Sequence, residues 1–408
     1  MVTRADELRA LCERIERAER IGFDTEFHSE KTYVPRLMLA QIALGDEVAI
    51  VDPLALEDLQ PLAQALRGRT VVGHALSSDL KIFYERFSLL PTEVFDTQVA
   101  AAFCGYGLAV SLVELVRDIT GVTLRKSQTV SDWSTRPLAP RQIDYLVEDV
   151  KYLYALHDQL RHKLEARGRR SWALDECLLL LDHKKYAVDR TRLYQRVAGA
   201  QRLGRRELAI LSELATLREA IARERDVPLK SVLSDDLLVA LAQMRPRSPE
   251  ELDELRRLTP AMKRSLGSRI VAAVATGEEW PDERLPVKGG KPLGAAREAC
   301  VALLGVLVDG IAAAAGLPSS LIVPRAVLER GLRELPASQA ELSAVLDLNH
   351  WRADLISGPL WALLCGTSSV QIEGYRSGAP RATISGGIQE SAAASVENDL
   401  PYEQFPPE

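Results

Sequence analysis

Cysteine is scarce in this chain. Its 408 residues include five, at positions 12, 104, 177, 300 and 365, and no two form a CxxC pair. That scatter argues against a zinc finger and for a reducing compartment. Histidine is equally sparse, with six residues and no cluster. The opening residues, MVTRADELR, carry no apolar signal core, so a cytoplasmic protein is expected. The most apolar run, residues 299–317, contains Asp309 and reads as too short and too broken for a membrane span. A GxxxxGK[ST] phosphate loop is lacking too, since Gly289-Gly290-Lys291 is followed by Pro, and no use of ATP is expected. Net positive charge is also missing. The balance is −6, and residues 382–408 hold five acids with no Lys or Arg. A nucleic-acid partner responds to the local field rather than to the total. Residues 196–277 hold 15 Lys/Arg against 11 Asp/Glu, a mild basic bias.

What remains is an ordinary globular composition, 47% apolar and 26% charged, in a chain long enough for two to four domains. Residues 1–165 alternate between short apolar runs and helical patterns. Strands are expected at 21–27, 38–44, 47–51 and 70–74, with Gly45-Asp46 turning a hairpin between the second and third. Helices are expected at 54–66, 79–87, 96–103, 111–120 and 140–167. This predicts a mixed sheet flanked by helices. From about residue 170 the strand signal stops and the pattern is all-α. Residues 227–274 register without a gap on 317–364: Pro228 on Pro318, Ser248 on Ser338, Leu252 on Leu342, Ile270 on Leu360. One helical domain reads as duplicated. The expected layout is a first domain at 1–170, a helical connector at 171–200, helical copies at 201–280 and 297–375, a Pro/Gly-rich linker at 281–296, and a disordered tail at 376–408.

Three acidic motifs in the first domain carry chemistry. Asp24 and Glu26 are two apart on a strand, so both side chains leave one face. Two carboxylates there repel each other unless a cation lies between them. Tyr145 and Asp149 are four apart on a helix and share a face. Asp79 opens a helix, where an acid also serves the helix dipole. Each motif alone reads best as an ordinary solvated or capping residue. Together, in this order, they suit two Mg²⁺ or Mn²⁺ ions held by oxygen ligands, able to stabilise the attacking and leaving oxygens of a phosphoryl displacement. Tyr145 is placed to orient the attacking water.

The residues then resemble a known family. FDTEF at 23–27 with Thr32-Tyr33-Val34-Pro35 is similar to the first exonuclease motif of ribonuclease D, and HALSSDLKIF at 74–83 to the second. Tyr145-x-x-x-Asp149 resembles the third motif of the tyrosine-bearing branch of DEDD exonucleases. Phe95-Asp96-Thr97-Gln98 and the stretch from Lys126-Ser127 through Asp132-Trp133 to Arg136-Pro137-Leu138 are further family-like segments. The repeat resembles paired HRDC domains, more closely in its first copy. Between Glu26 and Thr32 the chain keeps one basic residue, Lys31, where family members often have several.

The resemblance implies an RNase H-like exonuclease fold followed by two HRDC-type helical domains. It implies a metal-dependent 3′→5′ exoribonuclease that releases nucleoside 5′-monophosphates, with precursor tRNA 3′ ends as the expected substrate. Asp24, Glu26, Asp79 and Asp149 would bind the metals and Tyr145 would orient the water. His74, Lys126, Arg218, Lys230 and Lys263 are the expected RNA contacts, with a solvated mixed-charge surface as the competing reading of the helical cations. A monomer is expected. The alternatives are a DNA 3′→5′ exonuclease, since the same metal site serves both sugars, and a catalytically silent RNA-binding scaffold.

Overall fold

The computed structural model describes residues 1–124, 132–286, 293–374, 376 and 381–385. The chain forms two compact units, one of Met1–Ala101 with Ala109–Lys291 and the other of Ala102–Leu108 with Pro292–Glu408.

The first unit begins with α1 (Ala5–Arg17), whose Leu8, Leu11, Cys12 and Ile15 recur at helical spacing and are buried on one side. A five-stranded sheet follows: β1 (Arg20–His28), β2 (Arg36–Leu44), β3 (Glu47–Val51), β4 (Thr70–Gly73) and β5 (Glu93–Asp96), in spatial order β3-β2-β1-β4-β5. The first three strands are antiparallel, and β4 and β5 run parallel to β1. Gly45, at φ 63°, supplies the left-handed turn between β2 and β3. The other elements are α2 (Gln60–Arg67), α3 (Ser77–Phe87), α4 (Thr97–Phe103), α5 (Leu112–Thr120), α6 (Pro140–Lys151), α7 (Leu153–Ala166) and α8 (Arg170–Leu179).

The sheet separates two apolar layers. One joins α1, α2 and α3 to the sheet through Leu11, Ile15, Ile21, Phe23, Ile42, Leu66, Leu80 and Phe83. The other puts Leu146 of α6 against Leu39 and Ile50, closed by Trp133 and Leu138. The expected mixed sheet is present. Two elements leave no clear signal in the sequence: α1, and the four-residue β5, which the pattern merges with the helix after it. The single helix expected over 140–167 is two, divided at Tyr152.

The same unit continues as helices: α9 (Arg205–Arg225), α10 (Leu229–Val232), α11 (Asp235–Met244) and α12 (Pro260–Glu278). Helix α12 lies so close to α9 that a Cβ on Gly277 would meet the Ile210 Cα at 2.4 Å, so glycine is required there. The C-terminal end of α9 grips the loop between β1 and β2. The Tyr33 hydroxyl donates to Glu219. The Arg223 guanidinium lies over the Tyr33 ring, 5.1 Å from its centroid, close enough for a cation–π contact. The Tyr33 backbone N–H donates to Asp226 at 3.1 Å.

In the second unit, α13 (Ala295–Ala315), α14 (Ser319–Ile322) and α15 (Arg325–Glu334) each begin and end 90 residues after α9, α10 and α11. They are followed by α16 (Gln339–Val345), α17 (His350–Arg352) and α18 (Gly358–Leu364). Helix α13 corrects one expectation. Asp309 does not interrupt it, and its 21 residues, with a mean hydropathy of 1.9 in the most apolar window, are long and apolar enough to cross a membrane by length and composition. Its Val301, Leu304, Leu307, Val308 and Ala312 are buried within the fold. A second correction concerns the tail: β6 (Ser369–Glu373) pairs antiparallel with β7 (Arg381–Ser385), inside the region expected to be helical and then disordered. Residues 386–408 lie outside the described part of the chain.

Candidate active site

Asp24 and Glu26 leave the same face of β1, as period-two alternation requires, and α6 brings Asp149 to them. One ligand oxygen from each of the three lies within 4.8 Å of the others. The pairing register slips between Glu26 and Phe27, so a bulge ends the regular strand just past the second acid. Asp79 stands outside this close group. It is 7% exposed, and its Oδ1 accepts from the hydroxyl of Thr25, the residue between the two acids of β1.

Charge in this cluster is uncompensated. Burial drives Asp24 well above the usual carboxylate range, and Asp79, Asp149 and Glu26 push it the same way. Glu26 is pushed up to about 8 by burial, then by Asp149 and Asp79, against an opposing hydrogen bond from Trp133. Asp149 is raised to about 7 by burial, although Tyr145 hydrogen-bonds to it. Asp79 is raised to about 6, again chiefly by burial. A divalent cation bound by hard oxygen donors offsets each of these effects. Three carboxylates this close, with no sulfur or imidazole among them, fit Mg²⁺ or Mn²⁺.

Tyr145 donates its hydroxyl to Asp149, and its own ionisation is pushed far up, by burial first and then by Asp149, Glu26 and Asp24. In the metal-free protein it is therefore a protonated phenol that donates a hydrogen bond. Its ring stacks on Trp133 at 5.9 Å between centroids. Trp133 thus touches two members of the site, Glu26 and Tyr145. Its loop is fixed by Arg136, which pairs with the buried Asp52 at 2.5 and 2.9 Å and donates to the carbonyls of Trp133 and Met38. The family-like segments contained Trp133 and Arg136, but nothing in their spacing revealed these contacts.

Asp96 is another residue whose role the sequence did not disclose. Its carboxylate accepts from the backbone N–H groups of Ala75, Leu76 and Gln98 at 2.8–3.0 Å. That holds Ala75 in the left-handed region at φ 58° and sets the start of α3, two residues before Asp79. Gly73 is required beside it, because a Cβ there would meet the Leu76 Cγ at 2.7 Å and the Phe23 carbonyl oxygen at 2.9 Å.

The expected RNA contacts fare differently. Arg218 is a correction: it is 6% exposed, and its guanidinium is committed to Asp235 at 2.6 Å and to the Leu233 carbonyl, so it is an internal strut. His74 is corrected in the same sense, since one ring nitrogen meets Thr97 Oγ1 at 2.9 Å and the other the Val110 carbonyl at 3.0 Å. Lys263 bonds Asp253 at 2.7 Å. Lys230 is exposed on α10, and Lys126 lies outside the described residues.

A family model described as 3′-5′ exonuclease matches residues 1–165, and one for the HRDC domain matches residues 207–274. Ribonuclease D of Jannaschia sp. is 36% identical over 391 residues, covering 92% of this chain and 97% of that protein. The chain belongs to the ribonuclease D family. Ribonuclease D of Escherichia coli is 37% identical over 288 residues, 70% of this chain and 76% of that one. The crystal structure of E. coli RNase D, described as an exoribonuclease involved in structured RNA processing, superposes with a TM-score of 0.77 at 32% identity, covering 90% and 98% of the two chains. As a ribonuclease D, the protein is a divalent-metal-dependent 3′→5′ exoribonuclease with an RNase H-like catalytic domain followed by an HRDC domain.

Proposed function

We propose that this ribonuclease D trims the 3′ ends of precursor tRNA, removing one nucleoside 5′-monophosphate at a time. The observation that carries the site assignment is the convergence of Asp24, Glu26 and Asp149 with their ligand oxygens within 4.8 Å, and Tyr145 hydrogen-bonded to the last of them. Asp24, Glu26 and Asp149 would hold one Mg²⁺ or Mn²⁺, and Asp24 with Asp79 a second. When bound, such ions neutralise charge on the scissile phosphate and make water more acidic. The Tyr145 hydroxyl orients that water, and Trp133 holds both Glu26 and the Tyr145 ring in place.

We assign the second helical unit an HRDC-like role. The constant 90-residue offset of three successive helices supports this. Among the expected RNA contacts, exposed Lys230 is retained and Lys126 is kept on its sequence context alone. The enzyme is proposed to work as a monomer in the cytoplasm, without ATP. Its free cysteines at 12, 104, 177, 300 and 365 suit that reducing compartment.

The test is a precursor tRNA with an extended, 3′-labelled end, incubated with the intact protein and Mg²⁺ or Mn²⁺ beside a matched DNA strand. Stepwise release of labelled 5′-mononucleotide from RNA is expected. Preferential release from DNA would favour the other nuclease reading, and binding without turnover under either metal would leave only a scaffold.

A further inference from the structure

Gln41 is a buried polar residue whose side-chain amide has no partner among the described residues. It is fully buried, at 0% exposure, in the middle of β2. Neither its Nε2 nor its Oε1 has a hydrogen-bond partner among the described residues. A buried primary amide with both ends unpaired is unfavourable, and an apolar side chain of similar size would remove that cost.

Its position suggests what the amide is for. The antiparallel register pairs Gln41 with Asp24 on one side and with Ile50 on the other. Directly paired residues on neighbouring strands project to the same face, with Cβ atoms about 4.5–5.5 Å apart. Gln41 therefore starts beside Asp24, on the face that also presents Glu26. Two residues earlier on β2, Leu39 pairs with Glu26. Leu39 and Ile50 belong to the apolar layer under α6. In that row the chain places Leu beside Glu26 but an amide beside Asp24.

We propose that Gln41 is a positioning residue for Asp24. Its amide N–H turns to donate to the Asp24 carboxylate and holds it in the orientation that presents oxygen to the cation. A carboxylate that binds metal with one oxygen keeps lone pairs on the other, and a neutral donor fixes that second oxygen without competing for the cation's charge. The chemistry of Gln suits this role. Lys or Arg would displace the metal, and Leu or Met would leave the carboxylate free to rotate. The inference rests on Asp24 being a metal ligand.

The test compares wild type with Gln41→Met, a substitution of similar length and shape, in the full chain. Mn²⁺ affinity is measured by calorimetry, and the melting temperature is measured without metal. The expected result is a Kd for Mn²⁺ raised about 10-fold or more, with a metal-free melting temperature equal to or above that of wild type. A residue that only packed would give the reverse, a lower melting temperature with Mn²⁺ affinity kept, and that would overturn the proposal. Failure of wild type itself to bind Mn²⁺ would instead remove the metal reading of Asp24 on which the proposal rests. Side-chain amide NMR of Gln-labelled wild type supplies a measurement independent of the variant's folding. Mg²⁺ should move the Gln41 amide protons downfield, and an unshifted resonance at saturating Mg²⁺ contradicts the assignment.

Discussion

The acid pocket and helix α9 lie in the same compact unit, and both take charge out of water, with opposite outcomes. Around Asp24 the strongest charges are three further carboxylates, and all four acids are pushed toward their neutral forms. On α9, the buried Arg218 meets Asp235 at 2.6 Å, and although burial opposes it, this bond holds Asp235 below the usual carboxylate range. Arg136 does the same for Asp52 near the pocket itself. A buried charge with its opposite beside it is architecture. Like charges gathered without one make a site for something that arrives from outside.

Asp24→Asn should have the largest effect. It removes a proposed metal ligand and one of the repelling charges together. Activity should fall at least ~10³-fold, while the metal-free protein should melt at the same temperature or higher. A variant that loses both activity and stability would show that Asp24 is structural.

The opposite result is expected on α9. Arg218→Met leaves the half-buried Asp235 without its partner and the Leu233 carbonyl without its donor. Stability should drop by about 2 kcal/mol, the scale of a lost hydrogen bond to a charged group, read from the denaturant midpoint, with turnover per folded molecule unchanged. Full stability with weakened RNA binding would return Arg218 to the RNA-contacting surface.

Tyr145→Phe tests the pocket without touching its charges. The ring should keep its stack on Trp133, and the fold should be unaffected. Loss of the hydroxyl should lower kcat about 10²-fold with little change in KM. A rate that depended on phenolate formation would contradict the direction in which this tyrosine is shifted.

The pH dependence of stability gives a smaller effect with a definite sign. Glu26, Asp149 and Asp79 have folded pKa values of about 8, 7 and 6, all above their unfolded values. A raised carboxyl contributes stability fully below its unfolded pKa and loses it as pH rises through the folded value. Without metal, the protein should therefore lose stability steadily as pH rises from 5.5, with the slope flattening once Glu26 is ionised near pH 8. Saturating Mg²⁺ should flatten or reverse that slope, because the cation binds the deprotonated ligands. Parallel melting curves with and without Mg²⁺ across this range would contradict the cluster's role as a cation site.

The difference between these two regions also explains what could be read in the sequence. Asp24, Glu26, Tyr145 and Asp149 were legible because strand and helix periodicity fix which side chains share a face, and motif order supplied the rest. The sheet was legible for the same reason, except β5, whose two apolar residues, Val94 and Phe95, run directly into the helical pattern that begins at Asp96. Arg218 was misread because a cation on a helix looks the same in sequence whether it faces water or a partner 17 residues away. His74 failed likewise: its two partners, Thr97 and Val110, come from later elements. Asp96, Arg136 and Trp133 act through backbone groups and distant side chains, and no local pattern records such contacts. The β6–β7 pairing had a short signal, since SVQIE at 369–373 and RATIS at 381–385 each alternate polar with apolar residues, but the Ser/Gly-rich sequence around it outweighed that signal.

Trp133 offers the finest test of how the pocket tolerates its own repulsion. Its indole N–H bonds Glu26, and that bond works against the upward shift caused by burial and by Asp149 and Asp79. Trp133→Phe keeps an aromatic ring over Tyr145 and removes the donor. Glu26 should then move further up, metal should bind less tightly near neutral pH, and kcat should fall by up to about 10-fold, the equivalent of one modest hydrogen bond to a charged group. The loss should shrink as pH or Mg²⁺ is raised, since both favour the charged carboxylate. A deficit that stays constant across pH 6.5–9 would mean that Trp133 serves the pocket by packing alone, and the neutralising role would pass entirely to the cation.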